Sequence, residues 1–171
     1  MPSWNYKSDW KSKSERAHKQ LVDTLKTRGL PSQILQRGLY GNSLLTRPAN
    51  EITSPAVGVN LFDYVESYYF CEVQPAFFRF VLPEIVRIWG CNLTGESNAY
   101  GGYSEHVMAA FAINPPYPEL LNDEQFHGLS EYVSTLIFER MSKETPLNPG
   151  PYDWFYALSS FMVVFPHLAE F

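Results

Sequence analysis

The groups in this 171-residue chain able to ligate metals, attack as nucleophiles or move protons include four histidines, two cysteines and 18 carboxylates. A zinc hydrolase would need two histidines one helical turn apart, with a glutamate between them to work on the bound water. His18, His106, His127 and His167 fall in no such pattern. His127 does share a helix face with Glu124 and Glu131, a spacing that could hold a metal, but solvated pairing is the simpler reading of such a face. Glu105-His106 follows the glycines 101 and 102, so an acid–base dyad could ride on a flexible loop there. Adjacent residues of a helix diverge by about 100°, so these two side chains do not converge.

Nucleophile and phosphate motifs are equally scarce. Ser104, within Gly102-Tyr-Ser-Glu-His106, does not complete a Gly-x-Ser-x-Gly elbow. The run Gly95 to Gly102 lacks the Gly-Lys-Ser/Thr ending of a phosphate loop, and no dinucleotide glycine pattern is present. Pairs of carboxylates such as Glu66 and Glu72 have no spacing that selects an acid or a base. Cys71 and Cys91 stand apart from each other and from any zinc-type spacing, which predicts two reduced, structural thiols. The expectation is therefore no catalytic residue, no cofactor and no metal. An enzyme with an unrecognised site near residues 91–106 is the alternative.

Charge separates the chain into two parts. Residues 1–28 hold seven Lys and Arg against three Asp and Glu, a net +4, so in a chain of −5 the remainder carries −9. An acidic body repels nucleic-acid phosphates and suits a basic protein partner. The lysines of the N-terminal helix are mixed with acids and have no helix-turn-helix companion, so they read as a solvated face. Aromatic residues make up 16%, with eleven tyrosines, while charged residues are only 18%. Rings of this number fill a core, and tyrosine is also enriched at protein interfaces. No stretch approaches the ~20 apolar residues of a membrane span. The opening Met1 to Lys7 has no apolar region of the secretory kind, which points to a cytoplasmic protein.

The elements that would position these groups are mostly helical. Ala17, Leu21, Val22 and Leu25 mark an apolar face over residues 14–28, with Gly29 as its stop. Residues 1–12, which hold Trp4, Tyr6 and Trp10 among lysines, form an arm that either docks through its rings or frays. Residues 32–39 could add a helical turn or two. Residues 42–60, rich in Ser, Thr, Pro and Asn, read as a long surface excursion with a strand at 56–59. Aromatic residues 61–70 fit either helix or strand. Pro75 suits the first turn of a nearly all-apolar helix that Pro83 either kinks or divides and Gly90 ends. A short helix over 105–113 stops at Asn114-Pro115-Pro116. Asn122-Asp-Glu-Gln125 is a capping box, and Phe126, Leu129, Val133, Leu136, Ile137 and Met141 form the stripe of the helix it opens. A last buried helix is expected over 152–165.

Three of these segments resemble a known group. Phe62-Asp-Tyr-Val-Glu-Ser-Tyr-Tyr-Phe70, Val73-Gln-Pro-Ala-Phe-Phe-Arg-Phe-Val-Leu-Pro-Glu-Ile85 and Leu120-Leu-Asn-Asp-Glu-Gln125 are similar to small bacterial domains of uncharacterised function. Some of those are similar to immunity proteins found beside secreted polymorphic toxins. The resemblance spans roughly residues 60–140 and rests on packing residues, so it transfers no functional residue. It implies an inhibitor that neutralises a toxin in the producing cell.

The sequence thus predicts a mainly α, single-domain helical bundle with at most a small β element, near residues 56–72, and a protein-binding role. The expected partner is a cognate protein toxin, basic in character, with no membrane involved. Glu96, Tyr100, Tyr103 and Glu105 are the expected partner-binding residues, because acid and tyrosine cluster there on a glycine-bearing surface loop. The face of the capped helix bearing Asp123, Glu124 and Glu131 is the next candidate.

Overall fold

A computed structural model of the chain describes residues 9–25, 33–37, 44–48, 75–95, 107 and 110–143. The fold is mainly α, and the β element among the described residues is one antiparallel pair. The expected strand at 56–59, the aromatic run 61–70 and the final helix over 152–165 lie outside the described residues.

Helix α1 runs Trp10–Thr24, so the expected span of 14–28 is displaced by four residues at each end. The cause at the start is Asp9, an N-cap whose carboxylate accepts the Ser12 amide at 3.1 Å. The first turn is also held from outside. Trp10 stacks on Phe138 at 4.9 Å between ring centres, and the Lys13 ammonium sits 3.9 Å from the Trp10 ring. Trp10 therefore belongs to the helix and not to an arm. At the other end the Leu25 amide closes the helix on the Leu21 carbonyl, before Gly29 is reached. Ala17, Leu21 and Leu25 are buried as expected, whereas Val22 stands about 100° round the helix from Leu21 and is 36% exposed.

Strand β1, Gln33–Arg37, pairs with β2, Leu44–Pro48, with Gln33 opposite Pro48 and Arg37 opposite Leu44. The helical reading of 32–39 is corrected by this pair, while the β element expected near 56–72 lies outside the described residues. Five residues such as Gln-Ile-Leu-Gln-Arg suit either state, and a backbone partner seven to fifteen residues on decides between them. Pro48, which has no amide to donate, falls at the end of its strand.

Helix α2 spans Pro75–Leu93 without a break at Pro83. Pro83 has no N–H for the Arg79 carbonyl, but Leu82, Ile85, Val86 and Trp89 around it are all buried, and their packing keeps the helix whole. Gly90 does not end it. A Cβ there would come 2.7 Å from Leu136 Cδ1, so glycine marks a close approach of two helices. The stop is Gly95, whose φ of +76° favours glycine.

Val107 and residues 110–113 are helical, and residues 114–121 turn the chain, with a cis peptide at Tyr117-Pro118. Helix α3 runs Asp123–Ser142 behind the expected capping box. Asn122 Oδ1 accepts the Gln125 amide at 2.9 Å, and Gln125 Oε1 accepts the Asn122 amide at 3.2 Å. Gln125 also donates to the Thr24 carbonyl at 3.3 Å, tying the start of α3 to the end of α1. Leu129, Val133, Leu136 and Ile137 are buried, and Phe126 and Met141 pack against them. Helix α3 lies chiefly along α1 and also meets α2. Trp89, Phe78 and Phe111 are the largest fully buried side chains among the described residues.

Candidate functional site

Two places gather polar side chains with a defined geometry. The first is a cavity of about 200 Å³ where α1, α2 and α3 converge, partly open to solvent. Helix α1 lends Lys11, Ser14, Glu15 and His18, α2 lends Arg87, Gly90, Cys91 and Thr94, and α3 lends Tyr132, Leu136 and Glu139. Gly90 lets the helices approach, and the side chains beside it close most of the gap.

The chemistry of this cavity is largely self-contained. Glu139 is buried, yet its Oε2 accepts from the Ser14 hydroxyl at 2.6 Å and its Oε1 receives the Lys143 ammonium at 2.8 Å. Lys143 also reaches the Thr94 carbonyl, at 3.4 Å. A buried carboxylate so placed is a structural tie between α1 and α3, because its charge is met on both oxygens. Arg87 grips Glu84 with two N–H groups at 2.7 and 2.6 Å, and its Nη1 lies 3.6 Å from Cys91 Sγ. The hydrogen bond to Glu84 pushes the Arg87 guanidinium still further up, so it stays charged. Cys91 is half-buried, and Cys71, the other expected thiol, lies outside the described residues. Burial raises the Tyr132 hydroxyl well above the usual phenol range. His18 leans on the Tyr132 ring at 5.0 Å, and burial lowers its pKa.

The second place is the surface before and within the first turn of α3. The Tyr117 ring is stacked on Phe126 at 4.8 Å, and its hydroxyl donates to Asp123 Oδ1 at 2.8 Å. That bond to Asp123 raises the pKa of the phenol. The ring nevertheless remains 40% exposed, and Glu119, Asp123, Glu124 and Glu131 are exposed as well. Stacking and the hydroxyl bond fix the orientation of a large aromatic surface, so little side-chain freedom is left to lose on contact.

The expected partner-binding residues Glu96, Tyr100, Tyr103 and Glu105 lie outside the described residues, as do His106 and most of the segment 91–106. The next candidate, Asp123, Glu124 and Glu131, is on the exposed side of α3, with His127 exposed beside it. Among the described residues no group of three or more His, Cys, Asp or Glu could hold a metal ion, and no helix is long and apolar enough to cross a membrane. Tyr117, Ser14 and Glu139 were not legible as site residues. For Glu139 a signal existed, since Leu129, Tyr132, Leu136 and Glu139 follow one helical stripe, and an acid in a core stripe implies a partner. No protein-family model, curated protein or solved structure matches this chain.

Proposed function

We propose that this protein is a stoichiometric inhibitor, an immunity protein that binds and occludes a basic protein toxin in the cytoplasm of the bacterial cell producing it. The observation that carries this reading is Tyr117, a ring held on two sides and still 40% exposed, beside the carboxylates of Glu119, Asp123 and Glu124. An anchored tyrosine is the kind of residue on which binding energy concentrates, and its acidic surroundings attract lysine and arginine. The net charge of −9 carried by residues 29–171 extends that attraction over longer range. The resemblance of segments 62–70, 73–85 and 120–125 to toxin-associated domains supports the inhibitor over other protein-binding roles. The expected loop residues Glu96, Tyr100, Tyr103 and Glu105 would add a second surface of the same chemistry.

The test is co-expression. The product of the reading frame adjacent to this one is induced in a host with and without this chain. Growth arrest that this chain relieves, and that a Tyr117→Ala, Asp123→Lys double variant relieves poorly at equal abundance, is the expected outcome. Arrest untouched by this chain would contradict the inhibitor reading. Equal rescue by the variant would move the interface away from Tyr117.

A further inference from the structure

We infer that His18 is an acid-sensitive latch: its neutral ring closes α1 onto α2 and α3, and protonation of that ring loosens α1 from both. The ring sits where the three helices converge, inclined by 42° to Tyr132 of α3. The backbone of Pro83 in α2 lies near it and favours its protonated form. His18 Nε2 is sealed from solvent and has no hydrogen-bond partner among the described residues.

Whichever nitrogen holds the proton of the neutral ring, the protonated ring carries an N–H at the sealed Nε2, so an unpartnered donor and a charge must be accommodated together. A buried neutral nitrogen without a partner costs less than a buried, unpaired charged donor. Among the described residues, the charged groups around it are already engaged. From α2, Glu84 is engaged on both oxygens by Arg87, and Arg87 itself repels the new charge. From α3, Glu139 is occupied by Ser14 and Lys143, and Tyr132 presents its ring. On α1 itself, Lys11 adds a further cation and Glu15 is turned to solvent. The Pro83 backbone and the Glu84 charge favour the protonated ring, but desolvation outweighs them.

The direction of the pH effect follows. A histidine whose pKa is lower in the folded protein than its ordinary 6.5 gives its full stabilisation above that value, and loses it as pH falls through the folded value. Each unit between the two values weakens the closed state by about tenfold. His18 sits on the described helix whose packing depends most on α3, so α1 is the element to loosen.

The experiment combines histidine NMR titration of the full-length chain with amide hydrogen exchange at about pH 7.5 and about pH 5, corrected for intrinsic rates. His18 is expected to titrate below 6.5, and α1 amides to lose protection relative to α3 amides at the lower pH. In His18→Gln, a neutral side chain of similar reach, α1 protection should no longer change with pH relative to α3. A His18 midpoint at or above 6.5 overturns the latch, as does α1 protection that keeps pace with α3 in the wild type. Both of those readouts use the unaltered protein, so they decide the matter even if His18→Gln folds poorly.

Discussion

The three-helix junction and the first turn of α3 are built from the same residue types used in opposite ways. At the junction, Tyr132 and Glu139 are buried, and Glu139, Glu84 and Arg87 are satisfied by neighbouring side chains. At the start of α3, Tyr117 and its carboxylates are ordered but face solvent. The difference teaches that a tyrosine–acid cluster is structural where the surrounding helices consume its hydrogen bonds. Where its own turn fixes it and leaves it exposed, its surface stays open, and this is the surface proposed for recognition.

Substitutions can break or sharpen that contrast. The largest expected effect is at Leu136, which lines the cavity and covers Gly90; Leu136→Ala should cost about 2–5 kcal/mol in urea unfolding. A loss under about half a kcal/mol would show that the junction is not part of the core. Glu139→Ala comes next, because it strands the Ser14 hydroxyl and frees Lys143, and should cost about 1–3 kcal/mol. A neutral or stabilising outcome would mean that Glu139 is not a tie. Gly90→Ala should also destabilise, by about 1–3 kcal/mol, since the added methyl meets Leu136 at 2.7 Å. Gly128→Ala should do the reverse. Its Cβ would meet Thr24 Oγ1 and Leu21 Cδ1 at ordinary distances of 3.6 and 3.7 Å, so a gain of about 0.5–1 kcal/mol in thermal unfolding is expected. Were both glycine variants equally harmful, the close approach would not be special to Gly90.

The parts of this fold that sequence made legible are those governed by local chemistry. The Asn122–Gln125 capping box and the stripe of α3 needed only residues within one helix, and both are as expected. The early start of α1 depends on Asp9, whose capping role is local and could have been read, and on Trp10 meeting Phe138, which could not. The β1–β2 pair and the continuity of α2 through Pro83 depend on partners distant in sequence, which propensity cannot supply. Gly90 signals a stop in isolation and a close contact only beside Leu136. The acidic face of α3 was visible as charges at helical spacing, but Tyr117 gained its place only through Phe126 and Asp123, on the far side of a turn.

The most direct test is the association rate with the adjacent reading frame's product, measured by stopped flow for the wild type and for Asp123→Lys, Glu124→Lys. At low salt the double variant should associate at least about tenfold more slowly, and the gap should close as salt screens the charges, with both proteins folded at the temperature of the measurement. Equal rates at low salt between two folded proteins would contradict the claim that this face recognises a basic partner.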